Sequence, residues 1–227
     1  MTLIPEEIFK PSVRLPKLFS RSVAAHELQG PARLVNLHPS EAACIPAAAE
    51  KRRAEFSTGR ACARLALADV GFADFPILMG ERRSPVWPDA LVGSITHADG
   101  YCGAVVARRD CYRGIGVDAE RLNRLKPEAE RLICTEEERV WLSKLEGDER
   151  ILYATTLFSA KEAFYKCQFA LTRGWLGFRE VQVEFDGAQF EIRLIVPGKL
   201  PELDSEVYVG RFLVEENHVF TGIAIEA

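Results

Sequence analysis

Gly114-Ile115-Gly116-Val117-Asp118-Ala119-Glu120 and, further along, Phe158-Ser159-Ala160-Lys161-Glu162-Ala163-Phe164-Tyr165-Lys166 decide how this chain is read. If the first is a strand, its period of two puts Asp118 and Glu120 on one face. If the second is a helix, Glu162 and Lys166 sit one turn apart on one side. Three carboxylates and a lysine suit a magnesium ion bound to a substrate's phosphates, because magnesium prefers oxygen ligands and keeps several waters. Plainer readings stand beside this one. Glu followed by Lys at i+4 is also a common stabilising helix pair, worth ~0.2–0.5 kcal/mol. Asp118 and Glu120 also read as a strand end running into a solvated loop.

On a wheel of the second segment, Leu157, Ala160, Phe164, Cys167 and Leu171 fall within about 80° and form the expected core face. The opposite sector holds Phe158, Lys161, Glu162, Tyr165, Lys166 and Phe169. Three aromatics among those charges point to an aromatic-walled cleft rather than a plain solvated face. Upstream, Arg53, Arg60 and Arg64 fall within about 40° of one another on a helix. That stripe reads either as a solvated face or as a phosphate clamp, since arginine offers forked donors. Arg82 and Arg83 add charge in a Pro-rich loop. Thr96 and His97 place a hydroxyl and an imidazole at a strand end, in reach of a phosphate.

Working outward, a helix is expected over 47–70, ended by Gly71, and an irregular loop over 76–88. Strands are expected over 91–96 and 101–107, around a turn at Ala98-Asp99-Gly100. A strand over 114–120 follows, then a charged, partly helical stretch over 122–144 and a long helix over 149–169. Antiparallel strands are expected over 181–185, 190–196, 206–213 and 219–225. Residues 1–45 read as loop with short strand. Gly103-Ala104-Val105-Val106-Ala107 is echoed by Gly222-Ile223-Ala224-Ile225. The chain therefore reads as α+β, two similar halves dividing near Arg113 (1–113 and 114–227), each an antiparallel sheet with a long helix.

Bulk properties exclude several classes. The chain has 227 residues, 48% of them hydrophobic, enough to bury a core. A net charge of −4 argues against a general nucleic-acid binder. No apolar stretch approaches the ~20 residues of a membrane span, and the N-terminus lacks the pattern of a signal peptide. The six cysteines include no C-x-x-C pair, so free thiols in a reducing cytoplasm are expected.

Taken together, Lys51-Arg52-Arg53-Ala54-Glu55-Phe56, Gly59-Arg60, Ala63-Arg64, Arg83-Ser84-Pro85-Val86-Trp87-Pro88, Gly93-Ser94-Ile95-Thr96-His97, the two acidic motifs and Gly174-Trp175-Leu176-Gly177-Phe178 resemble the 4'-phosphopantetheinyl transferase family. Each motif is weak alone; the ordered set is specific. The match spans about residues 50 to 180. Length and motif set look like the larger, pseudo-dimeric bacterial branch of siderophore and mycobacterial-type enzymes, which implies halves related by a pseudo-twofold.

The resemblance implies that coenzyme A is the donor and that a serine of an apo acyl or peptidyl carrier protein is the acceptor, with 3',5'-ADP leaving. It implies that Asp118, Glu120 and Glu162 hold magnesium. Glu162, either a base for the serine proton or only a ligand, Lys166 and Asp118 would be catalytic. Thr96 and His97, with Asp118, Glu162 and Lys166, would contact coenzyme A phosphates. Arg52, Arg60, Arg82, Arg83, Ser84 and Pro85 would bind its 3'-phosphate and adenine. Motif alignment favours Arg52 where the wheel favours Arg53. Phe158, Tyr165 and Trp175 would line the channel for the pantetheine arm. Arg121, Arg124, Lys126 and Arg131, among Leu122, Leu125 and Leu132, would meet the carrier. The first half would then bind the donor's phosphates and adenine, and the second would hold metal and catalytic groups. A monomer would suffice.

Two positions depart from the family pattern. Thr96 stands where serine is common, which keeps the hydroxyl. Ala119 stands where some relatives have a further oxygen ligand, so a water would fill that place. A magnesium-dependent phosphodiesterase acting on nucleotides and a catalytically silent carrier-protein binder remain the alternatives.

Overall fold

A computed structural model describes residues 8–123, 125, 127–196, 198–203 and 207–227. Two antiparallel sheets form it. The first has the order β1-β2-β4-β3, from β1 (Lys10–Pro11), β2 (Ala24–Gln29), β3 (Leu91–Ala98) and β4 (Tyr101–Arg108). The second has the order β5-β9-β8-β7-β6, from β5 (Tyr112–Arg121), β6 (Val181–Asp186), β7 (Gln189–Leu194), β8 (Val207–Glu215) and β9 (His218–Glu226). After the short α1 (Pro39–Ala42), the long α2 (Glu50–Asp69) covers the first sheet, burying Ala61, Cys62, Ala66 and Leu67 against Leu28, Leu91, Ala104 and Val106. It ends where Gly71 adopts φ +88°, a left-handed turn that glycine tolerates without steric cost. Within the stretch expected to be loop with short strand, β2 pairs with β4 along its whole length.

The second sheet carries α5 (Gly147–Thr172), longer at both ends than the pattern predicts and stopped by Arg173 in the left-handed region. Its predicted core face is buried at Leu157, Ala160, Phe164 and Cys167. Two glycines let this helix lie directly on β5. A Cβ at Gly116 would fall 1.9 Å from the Ala163 carbonyl oxygen, and one at Gly114 2.7 Å from that of Cys167. Because the strand period is two, these glycines share a face with Asp118 and Glu120. The glycines thus bring the acids against α5.

Between β5 and α5 run α3 (Pro127–Ile133) and α4 (Glu136–Leu142), the latter opened by a Thr135–Glu138 capping box. One expectation fails here. Lys161 does not face the cleft: its side chain is wholly buried. Its Nζ donates to Glu138 Oε2 at 2.7 Å, Ile133 O at 3.0 Å, Phe178 O at 2.8 Å and Val181 O at 3.1 Å. An ideal wheel cannot foresee that a long amine turns inward when four acceptors meet it. Arg124 and Lys126, and residue 206 at the start of an expected strand, lie outside the described residues.

The sheets meet where edge strands β3 and β5 run side by side. Ser94 Oγ accepts from the Val117 N–H at 3.1 Å, and Thr96 Oγ1 from the Ala119 N–H at 2.9 Å. Hydroxyls here replace ladder bonds that an edge strand would otherwise leave unmade. A core joins both halves through Val92, Val105, Ile115, Val117, Phe220 and the Leu15 and Leu18 side chains of the N-terminal segment.

Candidate active site in the cleft between the halves

A cavity of about 420 Å³ opens between α2, the loop before β3, and α5. Arg52, Arg60, Arg82, Arg83, Ser84, Pro85 and His97 line it from the first half, and Glu162, Tyr165 and Lys166 from the second. Of the residues expected to bind the donor's phosphates and adenine, only Thr96 and Asp118 are absent from its wall, and both are buried.

Asp118 is the hub. Its Oδ1 accepts from Lys166 Nζ at 2.7 Å and Thr96 Oγ1 at 3.2 Å, and its Oδ2 from Ser159 Oγ at 2.8 Å. Thr96 is therefore a stitch between the sheets rather than a free hydroxyl in the cleft. Sequence reasoning missed Ser159, although its place one turn before Glu162 marked it as a neighbour. Lys166 also donates to Val117 O at 3.1 Å. Burial works against the Lys166 charge, but Asp118, Glu162 and Glu120 outweigh it and hold the amine above its ordinary value. Burial pushes Glu162 above the usual carboxylate value; Lys166 opposes this and Asp118 adds to it.

Glu120 faces a second cavity, lined also by Asp99, Asn123, Asp148 and Asn217. Among the described residues, no three His, Cys, Asp or Glu side chains already form a metal-holding group. The donor chemistry still fits a hard cation. Asp118, Glu120 and Glu162 are all carboxylates, and Glu162, raised mainly by burial with Asp118 adding to it, has a charge that a bound cation would stabilise. Asp118 must exchange protein donors to contribute an oxygen. Ala119 is buried with its N–H on Thr96, so its position adds no side-chain oxygen to the acidic face.

The cationic wall is selective. Arg60 lies over the Phe56 ring, its guanidinium carbon 4.3 Å from the centroid, and its Nε donates to Ile77 O at 2.7 Å. Burial lowers it to about 10, with Glu41 opposing, so it stays charged at neutral pH. Arg52 lines the cleft with its Nη1 3.5 Å from His97 Nε2. Arg53 is exposed and outside that wall, and Arg64 is taken by Glu41 and Asn36 O. The stripe drawn on the wheel thus breaks up, because Arg64 has a buried acid to pair with. Loss of solvation pushes His97 below its ordinary value, and Lys166 and Arg52 push the same way against Glu55. Ser84 Oγ, on the cavity wall, is buried without a hydrogen-bond partner. Phe158 packs on Phe178 instead of lining the cavity, and Trp175 sits at the rim against Tyr165.

Residues 40–107 match the model of the 4'-phosphopantetheinyl transferase N-terminal domain, and residues 114–219 that of the 4'-phosphopantetheinyl transferase superfamily. The chain is 39% identical to the 4'-phosphopantetheinyl transferase Npt of Nocardia iowensis, over 82% of this chain and 88% of that one. It is 39% identical to PptT of Mycobacterium tuberculosis, over 82% and 85%. Enterobactin synthase component D of Salmonella typhimurium is 37% identical over 54% of this chain and half of its own. With both halves matched in order and similarity running through the cleft, this chain belongs to the 4'-phosphopantetheinyl transferase superfamily.

Proposed function

We propose that the protein transfers the 4'-phosphopantetheine arm of coenzyme A to a serine of an apo carrier protein and releases 3',5'-ADP. One observation carries this reading: a cleft with a cationic wall on one half and the Asp118–Lys166–Glu162 group on the other. Such a cleft suits a polyphosphate whose phosphorus is to be attacked. In the transfer, the serine oxygen forms a bond to the β-phosphorus, the bond from that phosphorus to the bridging oxygen breaks, and 3',5'-ADP leaves with the electron pair.

Glu162 accepts the serine proton. Its raised pKa keeps it a better base than an exposed glutamate, which supports the role. Lys166 neutralises charge on the transferring phosphate. Arg52, Arg60 and His97 hold the donor's phosphates, and the loop of Arg82, Arg83, Ser84 and Pro85 flanks its nucleotide. Asp118, Glu120 and Glu162 would hold magnesium, which when bound neutralises the pyrophosphate. The first half, 1–113, supplies mainly donor contacts and the second, 114–227, the acids. Carrier contact is assigned to the surface of α3, where Arg131 and Leu132 are exposed. No helix among the described residues is long and apolar enough to cross a membrane. We assign the protein to the cytoplasm, which its free cysteines support, and as a monomer, since one chain supplies both walls of the cleft.

Intact-mass analysis of an apo carrier incubated with protein, coenzyme A and magnesium tests the reading. A mass gain of one phosphopantetheine arm is expected. Coenzyme A hydrolysed with no arm on the carrier would instead favour a phosphodiesterase.

A further inference from the structure

A run of cations and rings crosses the rim of the cleft from one half to the other. The Arg82 guanidinium carbon lies 4.9 Å from the Trp175 ring centroid. Trp175 meets Tyr165 edge-on at 5.4 Å between centroids, and Tyr165 stacks on Phe169 at 5.6 Å. Arg82, Tyr165 and Phe169 line the cavity, whereas Trp175 stands outside it with 54% of its surface exposed. Burial alone does not explain where this tryptophan sits. Its ring contacts are with Arg82 from the first half and Tyr165 from the second.

The loop that presents Arg82 is strained. Arg82 and Arg83 take φ values of +50° and +66°, a left-handed pair that side-chain-bearing residues avoid. The turn is held by the Gly80 N–H on Ser84 O at 2.8 Å and the Ser84 N–H on Glu81 O at 3.0 Å. In this pose the Arg82 guanidinium carbon sits over the indole within cation–π range, where a planar guanidinium can also stack and an ammonium cannot.

We infer that Arg82 and Trp175 form a latch between the halves, which closes the cleft over the donor. Arg82 is then a positioning residue that acts through Trp175, and not a group that reads the 3'-phosphate. The inference rests on the cleft being the coenzyme A site of the proposed reaction.

Calorimetry with coenzyme A and with 3'-dephospho-coenzyme A tests it, on the wild type, Arg82→Ala, Arg82→Lys, Trp175→Ala, Trp175→Phe and the Arg82→Ala/Trp175→Ala double variant. Arg82→Ala and Trp175→Ala should each weaken both donors by the same about two- to fivefold. The double variant should be no weaker than either single one, because the two side chains act as a unit. Arg82→Lys should behave like Arg82→Ala, and Trp175→Phe should keep most of the affinity. Thermal melts confirm that each variant is folded. Loss for coenzyme A alone in Arg82→Ala would make Arg82 a phosphate ligand and overturn the latch. Multiplying losses in the double variant, or no loss in either single one, would overturn it too. A wild type that binds both donors but leaves an apo carrier unmodified would sink the transferase reading, while the latch is still decided by the variants. A wild type that binds neither donor would overturn both.

Discussion

Lys166 Nζ lies 2.7 Å from Asp118 Oδ1, so the motif lysine makes its ion pair across the helix–strand contact. Glu162 is left facing the cavity. The two acids consequently do different jobs. Asp118 organises Lys166, Ser159 and Thr96, whereas Glu162 is exposed to the reacting groups.

Substitution should separate them. Glu162→Gln is expected to abolish most transfer while leaving stability unchanged or slightly raised, since the neutral amide avoids burying a charge. Asp118→Ala should lose activity and also about 1–3 kcal/mol of stability, because three donors lose their acceptor. Urea unfolding and carrier-modification rates check both. Equal stability of the two variants would contradict the hub role of Asp118.

The pH profile follows from the Glu162 shift. Its folded pKa is raised, so protonation stabilises the folded state and the carboxylate appears only as pH climbs through the raised value. Catalysis needs the carboxylate, so kcat/KM should fall on acidification with a limb above the ordinary pKa of 4.5. Saturating magnesium should move that limb lower, because a cation favours the charged form. A limb at or below 4.5 at limiting magnesium would remove Glu162 as the base.

Arg60→Ala should discriminate between donors. Losing a charged contact costs about 1.5–3 kcal/mol, so the Kd for coenzyme A should rise about ten- to hundredfold while that for 3'-dephospho-coenzyme A rises far less. Equal losses would show that Arg60, bonded to Ile77 O, only shapes the wall.

The Lys161–Glu138 pair predicts a purely structural defect. Lys161→Met leaves Glu138 buried without its cation and should cost about 3–5 kcal/mol. Adding Glu138→Gln should recover part of this by removing the buried charge, but only part, because the amide keeps one acceptor oxygen for the two N–H groups of Thr135 and Val183. Denaturant midpoints measure it. A double variant weaker than Lys161→Met would mean that the acid's charge stabilises without its partner.

Carrier contact on α3 predicts that Arg131→Glu combined with Leu132→Ala raises the carrier KM severalfold and leaves coenzyme A binding intact. Leu132 is 75% exposed, so the fold should not suffer. An unchanged carrier KM would place the docking surface elsewhere.

The sequence by itself determined what period and local chemistry decide. Apolar spacing fixed the two long helices and most of the strands, Gly71 marked the end of α2, and the order of short motifs pointed to the family. The alternation in Gly114–Glu120 already put Asp118 and Glu120 on one face. What tertiary structure decided was the partner of each charged side chain. Arg64 goes to Glu41, Lys161 to Glu138 and Lys166 to Asp118. Thr96 becomes a seam between sheets, and Arg82 crosses to Trp175. Long side chains reach acceptors on distant segments, and burial makes those pairings compulsory. A wheel or a motif gives the direction in which a residue leaves the backbone, but not what waits at the end of its reach.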